Sequence, residues 1–274
     1  MRIENVSSAQ NPKIRDLLAL QEKPRLRREK ALFVVEGRRE LERCLDTGFI
    51  AETIFICGEI ISESDLYVIL DKAETLNPNC RLIQLPAFIY GKIAYREGSE
   101  GIMAEIRWKE RKLENIRLGE NPLAIVLEGV EKPGNLGAVL RSADAAGADA
   151  VIFCDPMTDL YNPNLIRASL GGIFTNQVAA ASDEDALEWL QENRFSILSA
   201  QLQDSSWYYD TDMTGPTAIV VGSEATGLTP FWRNAADRHI KIPMSGKEDS
   251  LNVSVSAAIL LYEAVRQRNS IKRK

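Results

Sequence analysis

Three short stretches of this chain hold side chains suited to gripping a ligand. In the first, Pro133 to Asp144, the amide of Asn135 and the guanidinium of Arg141 follow the apolar run Leu123-Ala124-Ile125-Val126-Leu127-Glu128. That run reads as a buried parallel strand. Leu136, Val139, Leu140 and Ala143 recur at three and four residues, one face of a helix, with Arg141 on the opposite side. A Gly/Asn turn is expected between strand and helix, where backbone can approach a ligand closely. Polar groups at the carboxyl end of such a strand occupy the place where open α/β sheets bind their ligands. The second stretch, Gly222 to Leu228, follows the apolar run Thr217 to Val221. The third, Ser250-Leu251-Asn252, follows Ile240 to Met244 and opens the last helix.

The residue types narrow the chemistry. Gly222 to Thr229 has the glycine spacing of a phosphate-binding loop, but Leu228 stands where that loop needs lysine, and Glu224 would repel phosphates. No G-x-G-x-x-G follows a strand, which argues against a dinucleotide site. Glycines without a lysine suit a ligand held by backbone groups. The plainer alternative is that Gly222 and Gly227 only turn the chain. Ser250 and Asn252 are likewise preferred helix-capping types, and a helix start both caps and offers N–H groups to a substrate.

The elements that must position these groups are those of an α/β protein. With 274 residues, 45% hydrophobic and 26% charged, the chain has the size of one or two globular domains. Strands expected near 123–128, 150–154, 177–180, 195–199, 217–221 and 238–242 alternate with helices and predict a parallel sheet. Before them, helices near 11–21 and 37–46 and strands near 33–35, 53–56, 81–85 and 102–106 predict a smaller α/β domain. The division expected is residues 1–107, a polar Gly/Pro-punctuated linker at 108–121, and residues 122–274. The start is no signal peptide, and no apolar run reaches the length of a membrane span. The four cysteines, Cys44, Cys57, Cys80 and Cys154, lack metal-ligand spacing, and isolated thiols suit a reducing cytoplasm. The single histidine, His239, is expected at the start of a strand and excludes multi-histidine metal sites.

Charge is unevenly distributed. The net charge is −6, yet residues 1–43 hold eleven Lys/Arg against seven Asp/Glu, with Lys23, Arg25, Arg27, Arg28 and Lys30 packed together. Phosphate binding needs a local positive field rather than a basic whole protein. The alternative is a solvated helix face with Glu22 and Glu29 as counter-charges. A second basic group is Lys109, Arg111 and Lys112. The tail, Arg266, Arg268, Lys272, Arg273 and Lys274, reads as a frayed helix end.

Taken in order, the three stretches closely resemble the motifs of the SpoU/TrmH branch of the SPOUT RNA methyltransferases, over roughly the last 150 residues. Ser7 to Ile14 and Phe33-Val34-Val35-Glu36-Gly37 resemble the RNA-binding substrate domain found in front of many SpoU-type enzymes. The resemblance implies a C-terminal parallel-sheet SPOUT domain with a trefoil knot, S-adenosyl-L-methionine as cofactor, no metal, and transfer of a methyl to a ribose 2′-OH. It places Asn135, Arg141, Glu224, Ser250 and Asn252 at catalytic positions and Gly222, Ile242 and Leu251 at cofactor contacts. Glu224 is expected to orient Arg141 or Asn135. Asn164 to Gly172 also resembles a stretch recurrent in these enzymes, and Arg167 joins Lys23, Arg25, Arg27, Arg28 and Lys30 as a candidate RNA contact. The expected partner is RNA, ribosomal rather than transfer RNA, bound by a cytoplasmic homodimer that pairs through the C-terminal domain. The alternatives are a tRNA 2′-O-methyltransferase, a non-catalytic RNA-binding or ribosome-assembly factor, and a phosphotransferase already weakened by Leu228.

Overall fold

A computed structural model of the chain describes residues 2–95, 98–156, 159–247 and 250–272. Arg273 and Lys274 of the basic tail lie outside them. The first ten elements are β1 (Arg2–Asn5), α1 (Pro12–Glu22), α2 (Pro24–Lys30), β2 (Leu32–Glu36), α3 (Arg38–Asp46), β3 (Ala51–Ile56), α4 (Glu63–Leu76), β4 (Arg81–Gln84), α5 (Ala87–Ile93) and β5 (Ile102–Arg107). They continue as β6 (Leu123–Glu128), α6 (Pro133–Ala146), β7 (Ala150–Cys154), α7 (Pro163–Ala168), α8 (Gly172–Thr175), β8 (Val178–Ala181), α9 (Asp183–Glu192) and β9 (Ser196–Ala200). The last are β10 (Ser206–Trp207), β11 (Thr217–Val221), α10 (Pro230–Ala235), β12 (Arg238–Lys241) and α11 (Val253–Lys272).

The chain forms two compact units, Met1–Glu110 with Asp159–Thr175, and Arg111–Thr158 with Asn176–Lys274. This differs from the expected division in two ways. Residues 108–121 are no free tether. Leu113, Ile116 and Leu118 pack against the second core, and the Ala180 N–H donates to the Arg111 carbonyl at 2.9 Å. The segment Asp159–Thr175, expected in the C-terminal body, belongs to the first unit. Its aromatic residues explain this: Tyr161 stacks on Phe33 at 4.1 Å between ring centroids, and Phe174 meets Phe49 edge-on at 5.2 Å.

The first unit is built on a five-stranded mixed sheet, ordered β1-β4-β3-β5-β2, with β5 antiparallel to β2 and β3. The edge strand β1 and the helices α2, α4 and α5 were not predicted. α1 starts where the periodicity placed it, because Pro12 fits the first turn and Asn11 accepts the Lys13 N–H.

The second unit is a seven-stranded sheet ordered β10-β12-β9-β11-β6-β7-β8, parallel at every pairing. β6, β7 and β11 are buried along their whole length, as expected for strands covered on both faces. On one face, Ala186, Leu190 and Trp232 of α9 and α10 pack against Ala124, Val126 and Ile152. On the other, α11 packs on α6 and against β6 and β11.

The predicted Gly/Asn turn is instead the first turn of α6: Pro133 sits at its first position, and Gly147 ends the helix in the left-handed conformation. Leu136, Val139, Leu140 and Ala143 form its buried face. The tail is not simply frayed. Arg268 donates to the carbonyls of Met213, Asn121, Pro122 and Gly215, tying α11 to two loops, and Arg266 pairs with Glu263 at 2.7 Å.

Candidate active site

The site is built at the carboxyl ends of β6, β9, β11 and β12, from the loops that follow them. β11 lies between β6 and β9 in register, so those loops emerge side by side. Glu128, the last residue of β6, accepts hydrogen bonds from the backbone N–H and hydroxyl of Thr229 and so fastens the far end of the β11 loop. Burial pushes its carboxyl above the usual range, against those bonds.

Within that loop a Cβ on Gly222 would overlap the Gly227 carbonyl, and Gly227 itself has φ +66°. The Gly227 N–H donates to the Ser223 carbonyl at 3.0 Å, closing a tight turn. The glycine spacing therefore reflects a close backbone crossing.

Glu224 projects from this turn and is the hub of the site. Its Oε1 accepts from Asn135 Nδ2 at 2.8 Å and from Asn252 Nδ2 at 2.6 Å. Its Oε2 takes the Lys132 ammonium at 2.6 Å. Asn252 Nδ2 also lies 3.1 Å from Asn135 Oδ1. The Lys132 hydrogen bond holds the Glu224 carboxyl below the usual carboxylate range, with help from Asn135 and the Val253 N–H, and the same contact raises the Lys132 ammonium. Asn252 also caps the last helix. Its Oδ1 accepts from the Ser254 backbone N–H at 3.0 Å and from the Ser254 hydroxyl at 2.6 Å. Capping and site chemistry thus share one side chain.

Beside the hub lies a cavity of about 490 Å³ whose walls include Gly222, Glu224, Ile242, Ser250 and Leu251. Its size is that of a small-molecule site. Gln201 and Leu202, which follow β9, also line it and were not predicted. Their place after a parallel strand was the available signal. Lys132 was missed too, because a lysine ahead of a helix reads as an ordinary surface residue.

The other expected residues fall elsewhere. Arg141 is exposed on α6, and its side chain makes no hydrogen bond or ion pair with a described residue. Six residues separate it from Asn135, which turns it about 120° around the helix and about 9 Å along it. Glu224 therefore orients Asn135 and Asn252, not Arg141. Of the basic cluster, Lys23, Arg25, Arg28 and Lys30 are exposed, as is Arg167 on α7. Arg27 is not available to RNA. It is buried, bonded to Asp159 at 2.6 Å and to the carbonyls of Leu20 and Gln21, so its assignment as an RNA contact is withdrawn. His239 lies within β12, with its Nε2 2.8 Å from the Arg233 carbonyl.

All four cysteines are buried, and burial raises the thiols of Cys80 and Cys154. Among the described residues no group of His, Cys, Asp and Glu could hold a metal ion, and no helix is long and apolar enough to cross a membrane. A charge-stabilised pair of amides beside a cavity of mixed polar and apolar walls is suited to aligning two reactants.

Comparison with known proteins agrees with that geometry. Residues 122–262 match the SpoU rRNA Methylase family, and residues 11–104 match the MRM3-like substrate binding domain. The chain is 31% identical over 246 residues to the 23S rRNA (guanosine-2′-O-)-methyltransferase RlmB of Vibrio parahaemolyticus, covering 88% of this chain and 90% of that protein. It is 29% identical over 260 residues to the 23S rRNA (guanosine(2553)-2′-O)-methyltransferase RlmP of Bacillus subtilis, covering 95% and 98%. Among solved structures, the AdoMet-bound rRNA methyltransferase from Sinorhizobium meliloti superposes with a TM-score of 0.88 at 26% identity, covering 96% of this chain and 98% of that one. An RNA 2′-O ribose methyltransferase superposes with a TM-score of 0.81 at 37% identity, covering 97% and 100%. With its three motif stretches meeting at one cavity and its sequence matched over both halves, this chain belongs to the SpoU rRNA methylase family.

Proposed function

We propose that this protein transfers a methyl group from S-adenosyl-L-methionine to a ribose 2′-oxygen of ribosomal RNA. The observation that carries this reading is the meeting of Asn135, Glu224 and Asn252 beside a cavity walled by Gly222, Ile242 and Leu251. The cavity fits the cofactor: its loop is too tight for a side chain at Gly222, so it presents backbone, and its walls are partly apolar. Gly222, Ile242, Leu251 and Ser250 would hold the cofactor there. S-adenosylmethionine supplies an electrophilic methyl on a sulfonium, which needs no metal.

The protein's own residues must hold the ribose oxygen in line with that methyl and steady the charge that develops as the 2′-OH proton leaves. Asn135 and Asn252, both bonded to Glu224, would hold the sugar. A guanidinium is a poor general base in principle. The exposed guanidinium of Arg141 is suited to a phosphate of the RNA and to the developing alkoxide.

In the first unit, Lys23, Arg25, Arg28, Lys30 and Arg167 are the candidate phosphate contacts. α11 exposes Val255 and Tyr262, seven residues apart and so on one helix face. An uncovered apolar stripe on a long helix supports a homodimer that pairs through the second unit, and light scattering at micromolar concentration tests it. The trefoil knot rests on family resemblance, and the reading of ribosomal RNA as substrate supports a cytoplasmic location.

Mapping of ribose 2′-O-methylation on ribosomal and transfer RNA, from cells with and without this protein, tests the reading. A site lost from ribosomal RNA supports it, and a site lost from tRNA alone moves the substrate. Calorimetry with S-adenosylmethionine that shows no binding, together with no lost site, would leave a non-catalytic RNA-binding factor.

A further inference from the structure

We infer that Lys132 is a positioning residue for methyl transfer, holding one oxygen of Glu224 so that the other is left to fix the amides of Asn135 and Asn252. This rests on the reading of that cluster as the active site. The two oxygens of Glu224 have separate partners: Oε2 meets the Lys132 ammonium at 2.6 Å, while Oε1 takes both amides. Without the ammonium the carboxylate could rotate or turn to solvent, and the two amides would lose a common anchor.

Local structure gives no reason for a lysine here. Residue 132 caps α6, a position that favours Ser, Thr, Asp or Asn, and the Lys132 side chain makes no cap bond. Its positive charge also stands at the positive end of the helix dipole. Its partner lies across the fold, on the β11 loop. An exposed ion pair adds little to stability, so the consequence of the contact is the state and aim of Glu224. An ionised carboxylate can accept the ammonium at one oxygen and both amides at the other, and it accepts more strongly than the acid form does. Lys132 is the charged side chain in contact with Glu224 among the described residues, and it favours that ionised form.

The test uses the full-length protein, in vitro-transcribed ribosomal RNA and methyl-labelled S-adenosylmethionine. K132A is expected to lower kcat/KM by about ten-fold or more through misplacement of the amides. It should also move the acid limb of the pH profile to higher pH, since a carboxyl that loses a cation is protonated more readily. K132R should restore both, and cofactor affinity by calorimetry should stay unchanged in both variants. A K132A profile that overlays the wild type, while E224A loses transfer, overturns the role of Lys132 and leaves the site standing. If E224A retains full transfer, the site assignment fails and this inference with it. Circular dichroism confirms folding of each variant.

Discussion

Two ion pairs of the same length, 2.6 Å, play different parts in the two units. Arg27 and Asp159 are 1% and 2% exposed, whereas Lys132 and Glu224 are 74% and 28% exposed. The first pair is sealed from water and completed by backbone groups: Arg27 also donates to Leu20 and Gln21, and Asp159 accepts the Tyr161 N–H at 2.9 Å. The second stands in solvent and is completed by the amides of the candidate site. Distance alone says nothing about role. Burial sets how much an unpaired partner would cost, and the neighbours decide what the pair is for.

The largest effect is expected at the sealed pair. Arg27→Ala should destabilise the protein by about 3–5 kcal/mol, because Asp159 would be left buried without its counter-charge. Replacing both partners with apolar residues of similar size should recover much of that loss. Urea unfolding measures both. If Arg27→Ala unfolds at the wild-type midpoint, the pair is not a structural clasp. Lys132→Ala should leave the midpoint where it is, which is the other half of the contrast.

Arg141→Ala should lower methyl transfer by about 10²–10³-fold, the scale for loss of one charge-stabilising donor, with cofactor affinity within a few-fold of wild type. Near-normal turnover by the folded variant would remove Arg141 from the mechanism. Gly222→Ala should act in the opposite sense, weakening S-adenosylmethionine binding first. The added methyl meets the Gly227 backbone and must open the loop. A calorimetric affinity equal to wild type would show that the loop does not shape the cofactor site.

The smallest effect concerns the exposed part of the N-terminal basic cluster. Arg25 already pairs with Glu29 and Lys30 with Asp16. Each phosphate contact removed should reduce the slope of log affinity against log salt by roughly 0.7–0.9. Arg25→Ala with Arg28→Ala is the appropriate variant, because including Arg27 would confuse loss of binding with loss of fold. An unchanged slope marks the cluster as a solvated face and moves the search for RNA contacts to Arg167 and Lys109.

Much of the scaffold was legible in the sequence because its rules are local. Strands β6, β7 and β11 end where their apolar runs end, and the buried face of α6 is the one its three-and-four spacing predicts. Family resemblance pointed to Asn135, Glu224 and Asn252, which meet, and gave Gly222, Ile242 and Leu251 as cofactor contacts, which line one cavity. Lys132 escaped notice since nothing in its neighbourhood distinguishes it from a surface lysine. Arg27 was misread for the converse reason: five basic residues in a row of eight look alike, and only packing singles one out. Of the two partners expected for Glu224, Arg141 or Asn135, it bonds Asn135, and helix geometry turns Arg141 away from that residue.

The sequence by itself determined the period of each element, its caps, and the chemical types available at three loops. Those properties depend on neighbours a few residues away, through backbone hydrogen bonding and side-chain spacing. Tertiary structure decided which of them meet. Asn135 and Asn252 touch across 117 positions of chain, and Arg27 reaches Asp159 across 132. Those contacts are possible because a parallel sheet gathers the carboxyl ends of its strands in one place, and because Tyr161 and Phe174 bury their rings in the first unit. Contacts of that kind depend on close packing of distant segments, which no local pattern encodes.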